Sequence, residues 1–236
     1  MSPVSFQAID KNLEHVFCAD YLFEVPGYQR PYSWKTEHAQ ALFDDILEFV
    51  RSDGNSKKIT ELPAYFLGSI LLIKKNSDPK ADIVDGQQRL TTFQLLLTAL
   101  RDVAESHGSS YAREIGKYLL NDGVMEKEEE RYKLWPSITD RRAFVKLLDS
   151  TADLTGVAGL AEDDELVGKA ATAAYDAFRK RINVHVNVGG AYQESRLEIL
   201  FEALKSGLAV VSIELEGGDD PQTIFRSEER RVGKEC

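Results

Sequence analysis

The sequence predicts an α+β fold, in which an N-terminal part alternates strands with helices and the remainder is mostly helical. Three observations carry this reading. Ala64 to Ile73 is an almost unbroken apolar run of strand length, Leu90 to Glu105 repeats apolar residues at helical spacing, and from Tyr111 onward helical patterns outnumber strand patterns.

Taken in order, Phe23-Glu-Val-Pro26 reads as a short strand ending in a turn, and Pro31 and Ser33 lead into a helix capped by Ser33 or Thr36. Ala39, Leu42, Phe43, Ile46, Phe49 and Val50 give that helix one buried face, and Arg51 to Ser56 ends it. Ala64 to Ile73 is apolar enough for burial on both faces, with Gly68 marking a close backbone approach. After a turn at Asn76 to Pro79, Ala81 to Val84 is a second strand, followed by a Leu90 to Glu105 helix that turns Phe93, Leu96, Leu97, Leu100 and Val103 inward. Further helices are expected at Tyr111 to Asn121, Asp140 to Leu148 with Asp140 as cap, Asp164 to Arg181, and Tyr192 to Ser206. Tyr132 to Trp135 and Leu208 to Leu215 read as strands, and Asp149 to Asp163 as a long loop of small residues.

Composition excludes several classes. The chain has 236 residues, 43% hydrophobic and 29% charged, and no apolar run near the roughly 20 residues of a membrane span. Met1 to Ser5 has neither the basic nor the apolar part of a secretion signal, so the expected location is the cytoplasm, without membrane attachment. With Cys18 and Cys236 alone there is no disulfide framework and no zinc spacing. A net charge of −10 argues against a surface coated in positive potential, so any phosphate contact must be local.

The last eleven residues, Arg226 to Cys236, depart from what precedes them. RSEERRVGKEC matches the translation of a common sequencing-adapter read at every codon, and it interrupts a helix-like start at Asp220-Pro-Gln-Thr-Ile-Phe225. The expectation is that 226–236 is foreign sequence and that the natural protein continues past Phe225. The alternative is a charged, frayed terminus.

Asp85-Gly86-Gln87-Gln88-Arg89 falls between a strand and a helix. A loop there points free N–H groups and the positive end of the helix dipole at one spot, which suits a phosphate. Gly86 lets the backbone approach closely, Arg89 offers a two-pronged donor to phosphate oxygens, and Asp85 can hold a divalent cation or activate water. Gln87 and Gln88 can orient a nucleophile without carrying charge. A plainer reading is also open: Asp-Gly is a common turn dipeptide, Arg89 can pair with a surface carboxylate, and glutamines cap loops. Tyr28-Gln-Arg-Pro-Tyr-Ser-Trp34 interleaves aromatics with Gln29 and Arg30, a pattern suited to stacking plus phosphate contact by Tyr28, Arg30, Tyr32 and Trp34. Equally, Tyr32 and Trp34 can staple the next helix to the core while Arg30 is solvated.

VPGYQRPYSW (Val25 to Trp34), YFLGSILLI (Tyr65 to Ile73) and IVDGQQRLTTFQLLL (Ile83 to Leu97), in this order, resemble the N-terminal domain of GmrSD-type modification-dependent restriction proteins. The likeness continues through LWPSITDRRAF (Leu134 to Phe144) and VVSIEL (Val210 to Leu215). It implies a ParB/sulfiredoxin-like core over residues 1–106 and a mostly helical remainder of the same domain over 107–225. It further implies binding and hydrolysis of a nucleoside triphosphate, GTP or another, with magnesium or a similar cation at Asp85. Asp85, Gln87, Gln88 and Arg89 would be the catalytic group, with Gly86, Gln29 and Arg30 also at the nucleotide. The implied partners are phage DNA bearing modifications and an HNH nuclease domain in the same chain or a separate subunit, with self-association left open. No His-Asn-His arrangement is visible, because His15, His38, His107 and His185 are scattered. The implied function is the sensor domain of an antiphage restriction system. The alternatives are a non-catalytic module that reads modified DNA, or a truncated fragment that needs its missing part.

Overall fold

The computed structural model describes residues 7–17, 22–52, 63–74, 80–123, 127–152 and 168–216. The adapter-like tail, the Asn76 to Pro79 turn, and most of the 149–163 loop lie outside the described residues.

The fold is α+β, as the sequence predicts. In chain order the main elements are β1 (Gln7–Asn12), α1 (Leu13–Phe17), β2 (Leu22–Glu24), α2 (Thr36–Ser52), β3 (Tyr65–Lys74), β4 (Lys80–Asp85), α3 (Gln87–Ser106) and α4 (Tyr111–Gly116). They are followed by β5 (Leu134–Trp135), α5 (Arg141–Leu148), α6 (Lys169–Val186), β6 (Asn187–Val188), β7 (Ala191–Tyr192), α7 (Glu194–Glu202) and β8 (Leu208–Glu216). Six strands form one mixed sheet in the order β1-β8-β3-β4-β2-β5, while β6 and β7 make a small separate hairpin. β8 is parallel to β3 and antiparallel to β1, so the strand furthest along the chain sits inside the sheet. β5 pairs with β2 at the opposite edge.

Side-chain alternation along β3 divides the sheet into two faces. Ile70 and Leu72 join the large core with α2, α3 and α6, whereas Leu71 packs with Val84 and Leu215 in a small cluster flanked by Ile73 and Ile213. Burial on both faces of β3 therefore holds only from Ile70 to Leu72. Near the start of the strand Phe66 is 60% exposed, which corrects the expectation for the full run.

The helix at the centre departs furthest from its expected form. α3 begins three residues earlier than the apolar spacing suggests and is buried nearly all round, including Thr91, Thr92, Gln94 and Thr98. Three of these polar side chains donate to backbone carbonyls: Thr92 Oγ1 to Gln88 and Thr98 Oγ1 to Gln94 at 2.7 Å each, and Gln94 Nε2 to Tyr118 at 2.9 Å. α3 packs against α6 on one side and α4 on another, so from Leu90 to Leu100 no face is left for solvent to mark.

Other boundaries shift for local reasons. Lys35, not Ser33 or Thr36, holds the cap position of α2, its carbonyl accepting from the N–H groups of His38 and Ala39. The Tyr111 helix ends at Gly116, and Leu120 then pairs with Tyr132 as an isolated bridge. α6 extends to Val186, and Tyr192 belongs to the hairpin, with α7 closing in a π-helical turn at Ala203–Gly207. β1 and α1 were not foreseen in the pattern of residues.

Candidate functional site

The DGQQR segment is not a loop. Asp85 is the last residue of β4, Gly86 is the only residue between strand and helix, and Gln87, Gln88 and Arg89 form the first turn of α3. Gly86 makes so sharp a junction because its φ is +95°, a conformation that costs other residues about 1–2 kcal/mol. A side chain there would also lack room, since a Cβ would come within 2.7 Å of Ile70 Cγ2. The first intrahelical bond runs from the Leu90 N–H to the Gly86 carbonyl at 3.0 Å. The N–H groups of Gln87, Gln88 and Arg89 therefore have no acceptor within the helix.

The Tyr28 to Trp34 segment lies directly against this junction, held by glutamines from both sides. Gln29 Nε2 donates to the Val84 carbonyl at 2.8 Å, and Gln87 Nε2 donates to the Arg30 carbonyl at 2.9 Å. Gln88 uses both ends of its amide: Nε2 donates to the Pro31 carbonyl at 3.1 Å and Oε1 accepts from the Ser33 N–H at 2.9 Å. Three of the polar residues expected to do chemistry are thus the braces that fix one motif to the other. Gln87 is buried, whereas Gln88 is half-buried.

Two further residues complete the brace. The Tyr32 hydroxyl is 2.9 Å from Thr92 Oγ1, and the Tyr32 N–H donates to Asp140 Oδ2 at 2.7 Å. Asp140 also accepts from the Ser137 hydroxyl at 2.7 Å. It occupies the cap position of α5 but makes no capping bond with its side chain, which corrects its expected role. Burial raises its carboxyl above the usual carboxylate range despite those two donors. Burial likewise pushes the Tyr32 hydroxyl up to about 12, against the lowering effect of Thr92. Thr92 was legible only as part of an apolar-looking helix, and the serine and aspartate around α5 read naturally as a helix start, so neither residue signalled its contact with Tyr32.

The charged pair faces outward. Arg89 Nη2 lies 3.3 Å from Asp85 Oδ2, one turn apart, with side chains 28% and 56% exposed. Arg89 is given space by β3, where the pairing with β8 shifts register between Phe66 and Ser69 and Gly68 adopts φ +97°. A Cβ on Gly68 would overlap the Arg89 guanidinium, and Arg89 Nη1 donates to the Leu67 carbonyl at 3.5 Å, the long end of the range. The close approach expected at Gly68 is thus to an arginine side chain.

The aromatic set is split. Tyr28 is 74% exposed and Arg30 is exposed, but Tyr32 is buried beneath them, so its ring cannot stack on a base. Trp34 is half-buried, its ring edge-on to His38 at 6.1 Å. Of the expected DNA-facing residues, Tyr28 and Arg30 keep an open surface, Trp34 part of one, and Tyr32 none.

Asp85 is the one carboxylate of the motif, and among the described residues no group of three or more His, Cys, Asp or Glu side chains is placed to hold a metal ion. A divalent cation at Asp85 would take its remaining ligands from phosphate oxygens and water, a pattern that magnesium accepts. Among the described residues no helix is long and apolar enough to cross a membrane.

A family model described as the N-terminal domain of the GmrSD restriction endonuclease matches residues 8–231, a span that ends within the adapter-like segment. No curated protein matches the chain.

Proposed function

Because the chain belongs to the GmrSD restriction endonuclease N-terminal domain family, and is thereby a component of a restriction system, we propose that the β4–α3 junction binds and hydrolyses a nucleoside triphosphate. In this reading hydrolysis is the sensor step of a system that acts on modified DNA, with cleavage carried out elsewhere. The observation that supports it most is the junction itself. A buried glycine at positive φ opens a twenty-residue helix whose first N–H groups lack intrahelical acceptors, with half-buried Arg89 and exposed Asp85 beside it.

The residues have separable parts in this proposal. The N–H groups of Gln87, Gln88 and Arg89 hold a phosphate, and the Arg89 guanidinium, freed from Asp85, gives two donors to its oxygens. Asp85 then orients water or holds the cation. Magnesium, when bound, supplies positive charge that offsets the charge developing on the phosphate. Gln29, Gln87 and Gln88 act as positioning residues that keep Tyr28 and Arg30 next to the nucleotide. Tyr28 and Arg30, both exposed, favour a contact with DNA or with the base of the nucleotide at the same face.

Hydrolysis of ATP and GTP with magnesium tests the reading. Asp85→Ala and Arg89→Ala are each expected to lower turnover by about a hundredfold or more. Undiminished hydrolysis in both variants would remove the junction from the mechanism.

A further inference from the structure

α2, α6 and α7 enclose a cleft of about 490 Å³ whose polar lining is basic. Arg51 comes from α2, Lys180, Arg181 and His185 from α6, and Arg196 from α7, with no carboxylate among the described residues of the lining. Four permanent cations at one place stand out on a chain of net charge −10. Among the described residues only Arg181 is matched, by an ion pair to Asp44 at the rim, and it also lies over the Phe43 ring. Arg51 lies about 22 Å along α2 from Thr36, the end next to the glutamine braces, so the cleft is separate from the β4–α3 junction.

Inside the cleft Arg196 Nη2 is 3.3 Å from His185 Nδ1. A guanidinium only donates, so Nδ1 accepts and the imidazole is neutral, with its proton on Nε2. Burial, then the charges of Arg196 and Arg51, hold His185 down at about 4. Arg196 Nε is buried with no hydrogen-bond partner among the described residues. The cleft therefore combines mutual repulsion between cations with a donor that lacks an acceptor, and an oxyanion relieves both.

We propose that this cleft is a second anion site, which receives the phosphodiester backbone of a nucleic acid. Phosphate is the chemistry that satisfies clustered arginine and lysine. A backbone fits better than a free nucleotide, because among the described residues no Phe, Tyr or Trp ring lines the cleft for a base to stack on and the cations come from three helices instead of converging on one point. Val184, 69% exposed, offers an apolar wall for a sugar. Contacts of this kind are blind to sequence and sensitive to salt.

The test uses the whole chain, its Arg51→Gln/Lys180→Gln double variant and a short DNA duplex, with affinity measured between 50 and 200 mM salt. Both substituted side chains are exposed, and matching thermal melts establish that the variant is folded. The wild-type log–log slope of affinity against salt is expected to be steeper than the variant's by about two. In parallel, the His185 ring resonance, one of four histidines, is expected to move and its pKa to rise when duplex is added. Equal slopes, absence of duplex binding, or a His185 resonance that duplex leaves in place would each overturn the proposal. A response of His185 to inorganic phosphate but not to duplex would overturn it in favour of a free phosphate ester. Nucleotide turnover is not read in these measurements, so their failure leaves the proposal for the β4–α3 junction standing.

Discussion

Gly86 carries two constraints at once, a backbone at φ +95° and a contact with Ile70 that leaves no room for a methyl group. Ile70 is fully buried in β3, so it cannot yield by swinging into solvent. Gly86→Ala is therefore expected to cost about 2–4 kcal/mol, from the left-handed conformation and from overpacking together. A lower urea midpoint at unchanged slope would show it, and a midpoint equal to the wild type would refute the tight junction. Gly68 differs although its φ is similar, since its crowding partner is the far end of the Arg89 side chain, which is free to move. The sequence displayed both glycines, and the Asp-Gly turn signal located the first. It held no trace of the Gly68–Arg89 relation, which depends on how β3 is bulged against a strand that comes about 140 residues later.

At the scale of elements, a helix is easiest to read where one face is wet. α2 is such a helix, and of its expected apolar stripe Ala39, Phe43 and Ile46 are buried while Leu42, Phe49 and Val50 are half-buried. α3 is buried on every side from Leu90 to Leu100, so its glutamine and threonines there mark no outer face. Thr92, Gln94 and Thr98 are hidden because each donates to a carbonyl. β1 was illegible for the opposite reason: Gln7-Ala-Ile-Asp-Lys-Asn12 has no alternation, and its strand form comes from pairing with β8. The link between α5 and the Tyr28–Trp34 segment was also invisible, because it rests on one carboxylate acting across 108 residues. Asp140→Ala leaves the Tyr32 N–H without its acceptor and is expected to destabilise the protein by about 1–3 kcal/mol. Amide exchange at Tyr32 should accelerate more than at the centre of α3, and equal protection at Tyr32 in both proteins would show that the bond does not anchor the segment.

For the molecule as a whole, the sheet binds distant parts of the chain. β5 extends one edge, while β8 separates β1 from β3. The core follows suit, with Phe43 and Ile70 in the same apolar cluster as Phe178 and Leu200. A fragment of residues 1–106 would keep both motifs but lose those two strands and α4 to α7. It is expected to show neither a cooperative thermal transition nor dispersed amide resonances, and a cooperative melt would mean that the first 106 residues form an independent body. The two parts suggested by the sequence differ in character, since most of the sheet precedes Ser106 and helical residues outnumber strand residues after it. What composition could not convey is that the later part supplies a strand to the interior of the sheet. That placement has a consequence in time. Roughly 130 residues are synthesised between the end of β3 and the start of β8, a wait of about 7–26 s at common translation rates. Throughout it β1 and one edge of β3 lack the strand that will join them, so exposed strand edges are a feature of the nascent chain until β8 arrives.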